Sequence, residues 1–258
     1  MRQTPAPHHA HDEAAARAMV NALVRDASLR YRHAGHFPYH FARFKLRRDP
    51  VFRIALAAGL IPDGARILDL GCGQGLLAAW LLASQRRHGP AWPAHWHPPP
   101  RPRALVGIEL TGADVALARA ALAGPTDWPI DIVQGDIRAM PDGAGAYDHV
   151  VMLDVLHYLD YAGQEAVLRR VRSSLAPHGS VLLRVGDAGA GLQARYSQAV
   201  DRTVQWLRAR RATPLYCRRA DDWRTLLAGH GFAVREIPLP ADAHGANVLM
   251  VAQRAAGA

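Results

Sequence analysis

The sequence predicts an α/β fold built around a parallel sheet. Two observations lead to this prediction. From residue 66 onward, short apolar runs alternate with segments of helical spacing, and that alternation is typical of a sheet covered by helices on both faces. In addition, 50% of the 258 residues are hydrophobic, which is enough for the core of one domain with additions.

Seven apolar runs are predicted as strands. In chain order they are residues 66–70, 104–109, 130–133, 147–153, 180–185, 232–237 and 247–252. Helical spacing or good helix formers occupy residues 14–24, 51–60, 75–84, 114–122, 163–175, 197–210 and 220–228.

Two regions lie outside this alternating pattern. Residues 1–60 are predicted to form a helical N-terminal extension, and residues 61–258 the α/β domain. Within that domain, residues 86–103 are rich in Pro, His and Trp and are predicted to be a surface insertion. We expect no metal site in it, because His95 and His97 have no Cys or acidic residue near them.

The charge of the chain limits its partners. The formal net charge is +9, which raises the question of nucleic acid. The basic residues are scattered, however, and no aromatic residues alternate with them as a base-stacking surface requires, so we expect no nucleic-acid partner. An acidic or carrier-bound substrate is compatible with this charge, and no oligomeric state is implied.

The expected compartment is the cytoplasm. The two cysteines, Cys72 and Cys217, cannot form a disulfide framework. The chain has no run of about 18 apolar residues, so no membrane span is expected. Residues 1–13 also lack the apolar core of an export signal.

A glycine-rich turn follows the first predicted strand, in the segment Asp69-Leu-Gly71-Cys-Gly73-Gln-Gly75. Glycine lets the backbone approach a ligand closely, and the carboxyl ends of strands are where open α/β sheets bind ligands. The spacing differs from the Gly-x-Gly-x-x-Gly of dinucleotide sites. Asp69 would repel a pyrophosphate and attract a cation, so S-adenosylmethionine is favoured over NAD, and an NAD-dependent oxidoreductase is disfavoured.

This segment resembles the first motif of class I S-adenosylmethionine-dependent methyltransferases, and the resemblance extends over residues 61–255. It implies a Rossmann-like seven-stranded sheet with helices on both faces and S-adenosyl-L-methionine as the cofactor. It further implies that the methionine part of the cofactor contacts Asp69 and the backbone of Gly71, Gly73 and Gly75.

Two further strand ends fit the same family pattern. Glu109 ends the second strand, where a carboxylate can accept hydrogen bonds from both ribose hydroxyls, as it also does in NAD enzymes. After the third strand, the resemblance implies that Asp136 bonds the adenine amino group and that Ile137 packs on the adenine ring.

The segment after the fourth strand resembles the family's fourth motif, which borders cofactor and acceptor. It implies Asp154 and His157 as pocket residues, and both are candidate catalytic residues, with Asp154 also a candidate cofactor contact. Methyl transfer needs a base only if the nucleophile keeps its proton up to the transition state. His157 is the candidate base, since its ordinary pKa lies near neutrality. The alternatives are that His157 only borders the cofactor or bonds backbone, and that Asp154 is a helix cap.

Residues 31–52 are dense in aromatic and basic side chains and form a candidate lid over the acceptor. The candidate acceptor-binding residues are His36, Tyr39, His40, Arg43 and Lys45 in this segment, and Arg184 and Asp187 at the end of the fifth strand. The alternative is that Phe37, Tyr39, Phe41 and Phe44 anchor a helix to the sheet, with the basic residues in solvent.

A finer resemblance lies in Tyr31-Arg-x-x-Gly-x-Phe-x-Tyr-His-Phe-Ala-Arg43, Leu153-Asp-Val-Leu-His-Tyr158 and Leu182-Leu-Arg-Val-Gly-Asp187. These segments resemble bacterial methyltransferases encoded with aryl-polyene or xanthomonadin-type pigment pathways of secondary metabolism. The resemblance implies a small aromatic or polyketide-like acceptor, which an acidic carrier protein could present. The predicted function is methyl transfer to such a molecule. The alternatives are an RNA or protein methyltransferase and a catalytically silent cofactor-binding protein.

Overall fold

The structure is a computed structural model that describes residues 7–140, 143, 145–189, 214–240 and 247–255, with side chains from residue 12 onward. The helix predicted at residues 197–210 lies outside the described residues. Among the described residues, no helix is both long and apolar enough to cross a membrane.

Helices and strands alternate along the chain. The described helices are α1 (Pro7–Leu29), α2 (His36–Arg48), α3 (Pro50–Ala57), α4 (Leu76–Arg87), α5 (Gly112–Leu122), α6 (Tyr161–Ser174) and α7 (Ala220–Gly229). The strands are β1 (Arg66–Leu70), β2 (Ala104–Glu109), β3 (Ile130–Gln134), β4 (Tyr147–Leu153), β5 (Leu175–Gly186), β6 (Phe232–Ile237) and β7 (Asn247–Arg254). Short 3₁₀ turns lie at Arg32–Ala34, Ile137–Ala139 and Leu156–Tyr158.

The seven strands form one sheet in the order β3-β2-β1-β4-β5-β7-β6. The predicted seven-stranded sheet with intervening helices is therefore confirmed. The chain adds β2 and β3 on one side of β1 and then places β4 on the other side. The order thus reverses between β1 and β4, and such a reversal is where open α/β sheets bind their ligands.

Strand β7 departs from the predicted parallel sheet. β1 pairs with β4 and β4 with β5 in parallel, whereas β7 lies antiparallel to both β5 and β6. Only residues 238–246 join β6 to β7. That link is shorter than the dozen or so residues that a crossover to a parallel neighbour needs.

The described chain divides into two compact units. The first comprises residues 1–65, 73–105 and 111–132. In it, Trp80 of α4 is buried, and its indole N–H donates to the Phe52 carbonyl at 3.0 Å. This bond fixes α3 against α4.

The segment predicted as a surface insertion is anchored by a few buried residues, while most of its residues are exposed. Helix α4 continues through Arg87, and the segment after it packs into the first unit. Trp96 is buried and meets Trp92 edge to face at 5.6 Å between ring centroids. The His97 N–H donates to the Ala57 carbonyl at 3.1 Å. The two tryptophans therefore serve packing within this segment, because an edge-to-face pair buries apolar surface of both rings.

The second unit comprises residues 66–72, 106–110 and 133–258. Its core consists of aliphatic side chains from strands β1, β4, β5 and β7, packed with α6 and α7. Val150 and Leu183 are fully buried in it, and so is Trp223 of α7. This core holds rigid the strands that carry most of the predicted site residues.

Candidate active site

The glycine-rich turn after β1 has the backbone that its sequence predicts. Gly71, Gly73 and Gly75 have φ values of 74°, 53° and 76°, all in the left-handed region that favours glycine. A Cβ at Gly71 would lie 2.6 Å from a methyl group of Val155, whereas a Cβ at Gly73 would enter open space. The turn therefore needs glycine for close packing at Gly71 and for its dihedral angles at Gly73.

Backbone hydrogen bonds join the start of this turn to β2. The N–H groups of Gly71 and Cys72 both donate to the Ile108 carbonyl, at 2.8 and 3.2 Å. The turn consequently begins beside the residue that precedes Glu109. Sequence reasoning placed Asp69 and Glu109 at neighbouring strand ends, and this pairing brings those ends together.

Asp69 and Glu109 form an electrostatically coupled pair. The Asp69 carboxyl is 5% exposed, and its pKa is raised to about 7, mainly by burial and to a lesser extent by the negative charge of Glu109. Burial disfavours the ionised form because the interior solvates charge poorly. A cation bound next to Asp69 would reverse both effects, so this pair suits a positively charged ligand.

Asp136 and Ile137 adopt local roles at the end of β3. The Asp136 carboxylate accepts from the backbone N–H of Arg138 at 2.8 Å and from its guanidinium at 2.5–3.0 Å. The Arg138 side chain thereby lowers the pKa of Asp136. Ile137 is buried within the hydrophobic core. Their adenine contacts remain predictions, and any such bond to Asp136 would share the carboxylate with Arg138.

Asp154 has an unusual backbone conformation. Among the described non-glycine residues, it alone has a positive φ, at 58°. Its carboxylate accepts from Arg184 Nε at 2.7 Å and pairs with Nη2 of the same guanidinium, while its N–H donates to the Arg184 carbonyl at 3.1 Å. Asp160, not Asp154, caps the following helix α6. The interpretation of Asp154 as a helix cap is therefore wrong.

The same contacts revise the role of Arg184. Its side chain is only 6% exposed and is bound to Asp154. This ion pair holds the loop after β4, and contact of Arg184 with an acceptor remains a prediction. The second predicted acceptor residue of β5, Asp187, also serves a loop, since it accepts from the N–H groups of Gly189 and Ala220.

His157 lies in the 3₁₀ turn Leu156–Tyr158 and is 5% exposed. Its ring packs against Tyr158 at 4.2 Å between centroids. Its carbonyl accepts from the Tyr216 N–H at 2.9 Å. The ring therefore packs against Tyr158 while the backbone of the turn is tied to Tyr216, and the role of His157 as a base remains a prediction.

Sequence reasoning missed Gln164, which organises this turn. Gln164 is fully buried in α6, and its amide donates to the carbonyls of Leu156, Leu159 and Tyr216 at 2.8–3.2 Å. Its oxygen accepts from Arg218 at 2.8 Å. A glutamine in the first turns of a helix gives no sequence signal for this role, because its partners are mainly backbone carbonyls, which carry no sequence information, and two of them lie more than 50 residues away.

The candidate lid residues belong to the first unit. Tyr39 and Arg43 are half-buried on α2, and His40 is exposed beside Tyr39. The alternative in which aromatic residues anchor this helix is wrong for Phe37 and Phe44, which are 73% and 62% exposed. The buried face consists of smaller or aliphatic residues, namely Pro38, Ala42 and Leu46.

No group of three potential metal-binding side chains occurs in the described part of the chain. His88, His95 and His97, the histidines of the segment between α4 and β2, belong to no such group among the described residues.

Comparison with known proteins defines the class of the molecule. A family described as a methyltransferase domain matches residues 41–237. The ribosomal RNA small subunit methyltransferase C of Chromohalobacter salexigens is 28% identical over 130 residues, which are 47% of this chain but only 32% of that protein. The chain thus spans about a third of the length of this curated relative.

Two solved structures share the fold. One is a Haloferax volcanii methyltransferase in complex with the Trm112 activator, with a TM-score of 0.58 at 17% identity, covering 84% of this chain and 93% of that one. The other is magnesium protoporphyrin IX methyltransferase from Synechocystis PCC 6803 with bound SAH, with a TM-score of 0.55 at 20% identity, covering 85% and 88%. At such identities the likeness shows the fold alone.

The fold and the family match together define an S-adenosyl-L-methionine-dependent methyltransferase. The predicted enzyme class and cofactor are confirmed. Because the match extends over most of its length, the chain belongs to the methyltransferase domain family.

Proposed function

We propose that this protein transfers a methyl group from S-adenosyl-L-methionine to a small aromatic or polyketide-like molecule. The observation that carries the proposal is the coupled pair of Asp69 and Glu109 at the ends of β1 and β2, beside a left-handed glycine turn. Within a methyltransferase domain, this pair offers carboxylates to the amino group and ribose of the cofactor.

The residues of the site fit such a cofactor in charge and in shape. Both effects on the Asp69 carboxyl, burial and the charge of Glu109, raise its pKa and so disfavour its ionised form. The ammonium group of the cofactor would favour the ionised form. The open space beside Gly73 leaves room for a ligand against the backbone. When bound, S-adenosyl-L-methionine supplies a methyl group on a sulfonium centre that departs as a neutral thioether.

The chain itself has two tasks in this reaction. It must align the acceptor atom with the methyl carbon, so that the new bond forms as the carbon–sulfur bond breaks. It must also receive the acceptor's proton when the nucleophile is protonated. His157 is suited to the second task, because it is a buried imidazole in a turn fixed by Gln164 and Tyr216.

Several observations favour a small acceptor. A structural neighbour that covers 85% of this chain is a magnesium protoporphyrin IX methyltransferase, an enzyme named for a small-molecule acceptor. The net charge of +9 also suits an acceptor presented by an acidic carrier protein. The pigment-pathway resemblance points in the same direction. We place the reaction in the cytoplasm, in keeping with the few cysteines.

A second candidate function is RNA methylation, and one observation favours it. The curated relative that matches 130 residues of this chain is a ribosomal RNA methyltransferase. If RNA is the acceptor, affinity for ribosomal RNA fragments should fall steeply with salt, because phosphate contacts release counterions. Negligible RNA affinity at low salt would remove this candidate.

Incubation with isotope-labelled cofactor tests the proposal. The protein is mixed with methyl-labelled S-adenosyl-L-methionine and fractionated cell extract, and the products are analysed by mass spectrometry. We expect label in a small molecule or in a carrier-bound thioester. Label in RNA or protein would support the other acceptors. Cofactor binding by calorimetry without labelled product from any fraction would indicate a silent binding protein.

A further inference from the structure

A buried hydrogen-bond network meets the glycine-rich turn at Gln74. This residue lies between Gly73 and Gly75 and is 5% exposed. Its carbonyl accepts from the Tyr31 hydroxyl at 2.8 Å, and its side-chain amide donates to Asp114 Oδ1 at 2.9 Å. All of these residues belong to the first unit. The network thus connects the end of α1, the turn and the first residues of α5.

The bond from the Tyr31 hydroxyl to Gln74 lies in the interior of the protein. Tyr31 is completely buried, and its backbone closes the end of α1 through a bond from its N–H to the Ser28 carbonyl at 3.0 Å. The hydroxyl of a buried tyrosine usually forms a hydrogen bond to a specific partner, because a buried hydroxyl without a partner costs about 1–3 kcal/mol. The Gln74 carbonyl belongs to a turn, and the Tyr31 hydroxyl binds it there.

This bond fixes an entire peptide plane. The peptide group is planar and trans, so holding the Gln74 carbonyl also sets the direction of the Gly75 N–H, which points the opposite way. Gly75 precedes the first residue of α4. The direction of this N–H therefore determines how the start of the helix presents its backbone donors.

A bond that fixes this turn matters because the turn is rich in glycine. Glycine loses more conformational freedom on ordering than other residues, and every second residue from Gly71 to Gly75 is a glycine. A turn held in its binding conformation before the ligand arrives loses less entropy on binding. The Gln74 side chain is also held, through the bond from its amide to Asp114. Its buried Oε1 accepts no hydrogen bond from the described residues.

We propose that Tyr31, through Gln74 and with the support of Asp114, is a positioning residue that preorganises the glycine-rich turn for the cofactor. This inference rests on the proposed function, since it takes the turn as the cofactor-binding element. It assigns to the N-terminal extension a role in cofactor binding that differs from closing over the acceptor.

Two pairs of variants test this proposal by calorimetric titration with S-adenosyl-L-methionine. Tyr31→Phe removes only the hydroxyl, and we expect the Kd to rise about 3- to 10-fold, as the loss of one hydrogen bond predicts. Its control is Tyr147→Phe, which removes a hydroxyl at the amino end of β4. Asp114→Ala should weaken binding similarly, whereas Asp114→Asn, which keeps an oxygen at Oδ1, should bind nearly as the wild type does.

A second readout separates positioning from general stability. Hydrogen exchange at Gly73–Leu77 should be faster in ligand-free Tyr31→Phe than in the wild type, with exchange in the β5 strand unchanged. A lowered Tm with an unchanged Kd would overturn the proposal, and so would wild-type binding in both Tyr31→Phe and Asp114→Ala. If Tyr31→Phe does not fold, the Asp114 pair decides. Absence of binding in the wild type would instead refute the proposed function itself.

Discussion

At the scale of single residues, Asp69 is the most informative side chain. Its pKa is raised to about 7 by burial and, secondarily, by Glu109. Near neutrality, a substantial fraction of the unliganded protein therefore carries a proton on Asp69. A ligand with an ammonium group prefers the ionised carboxylate, so binding must expel that proton.

We predict that cofactor binding releases a proton from Asp69 around and below pH 7. Because the ionised form binds, affinity should rise with pH up to about 7, by at most tenfold per pH unit, and then level off. Calorimetry in two buffers of different ionisation enthalpy measures the released proton. In Glu109→Gln the Asp69 pKa should fall and the release at pH 7 should diminish. Equal release in both proteins would contradict this coupling, since titration of the ligand itself is common to both.

Asp154 shows how a residue can be strained and useful at once. The left-handed conformation costs about 1–2 kcal/mol for a residue with a Cβ, although Asn and Asp tolerate it best. The hydrogen bonds to Arg184 offset this strain and hold the loop that leads to His157. The buried Arg184 side chain thus holds Asp154 in its strained conformation, and such strain is common at functional sites.

We predict a graded loss of stability at this position. Asp154→Asn keeps an acceptor for Arg184 and a residue that tolerates positive φ, whereas Asp154→Ala keeps neither. Urea unfolding should therefore rank Ala below Asn by at least about 1–2 kcal/mol, because Ala adds the cost of the backbone conformation to the loss of the acceptor for Arg184. Equal stabilities would show that neither the conformation nor the acceptor contributes to stability.

At the scale of elements, the sequence predicts the strands well and the side-chain networks poorly. Strands β1, β2, β4 and β6 begin and end where their apolar runs do. Such runs are local features, so periodicity identifies them. The direction of β7 depends instead on the length of the link that precedes it, and the spacing of apolar residues carries no information about direction.

The sequence also failed to predict which side of α2 is buried. Its aromatic residues were interpreted as possible anchors, yet Phe37 and Phe44 face outward while Pro38, Ala42 and Leu46 are buried. Aromatic content alone does not identify the buried side of a helix. The network of Gln164 and that of Gln74 were missed for a related reason, since each includes a partner more than 40 residues away along the chain.

Gln164 supports a prediction at this scale, because it ties α6 to the turn that carries His157. In Gln164→Leu the carbonyls of Leu156 and Leu159 lose their donor, so the turn should loosen. We expect turnover to fall about tenfold or more, with cofactor affinity changed much less. Steady-state kinetics and calorimetry give the two numbers. Ser174→Ala, at the opposite end of α6, is the control, and equal losses of turnover and affinity would contradict the prediction.

At the scale of the whole molecule, the sheet core contains a neutral histidine. His149 of β4 is fully buried, its Nδ1 lies 2.8 Å from the Ser180 hydroxyl, and burial lowers its pKa to about 4. In the unfolded chain its pKa is about 6.5. Between pH values of about 4 and about 6.5, His149 therefore binds a proton in the unfolded state but not in the folded state.

We predict that this histidine contributes to acid unfolding. Above about pH 6.5 it has no effect, and as the pH falls toward 4 it should lower stability by up to about 1.4 kcal/mol per pH unit. Urea unfolding at several pH values measures the slope. His149→Asn, which does not titrate there, should show a shallower slope in this range. Identical slopes would mean that His149 is protonated in the folded protein.

The central claim is that Asp69 and Glu109 bind the cofactor, and calorimetric titration of their variants with S-adenosyl-L-methionine tests it most directly. Removing a buried carboxylate relieves a desolvation cost, so Asp69→Ala should fold at least as stably as the wild type. We expect Asp69→Ala and Glu109→Ala to lose detectable binding while Ser174→Ala binds normally. Retained micromolar affinity in both carboxylate variants would contradict the account.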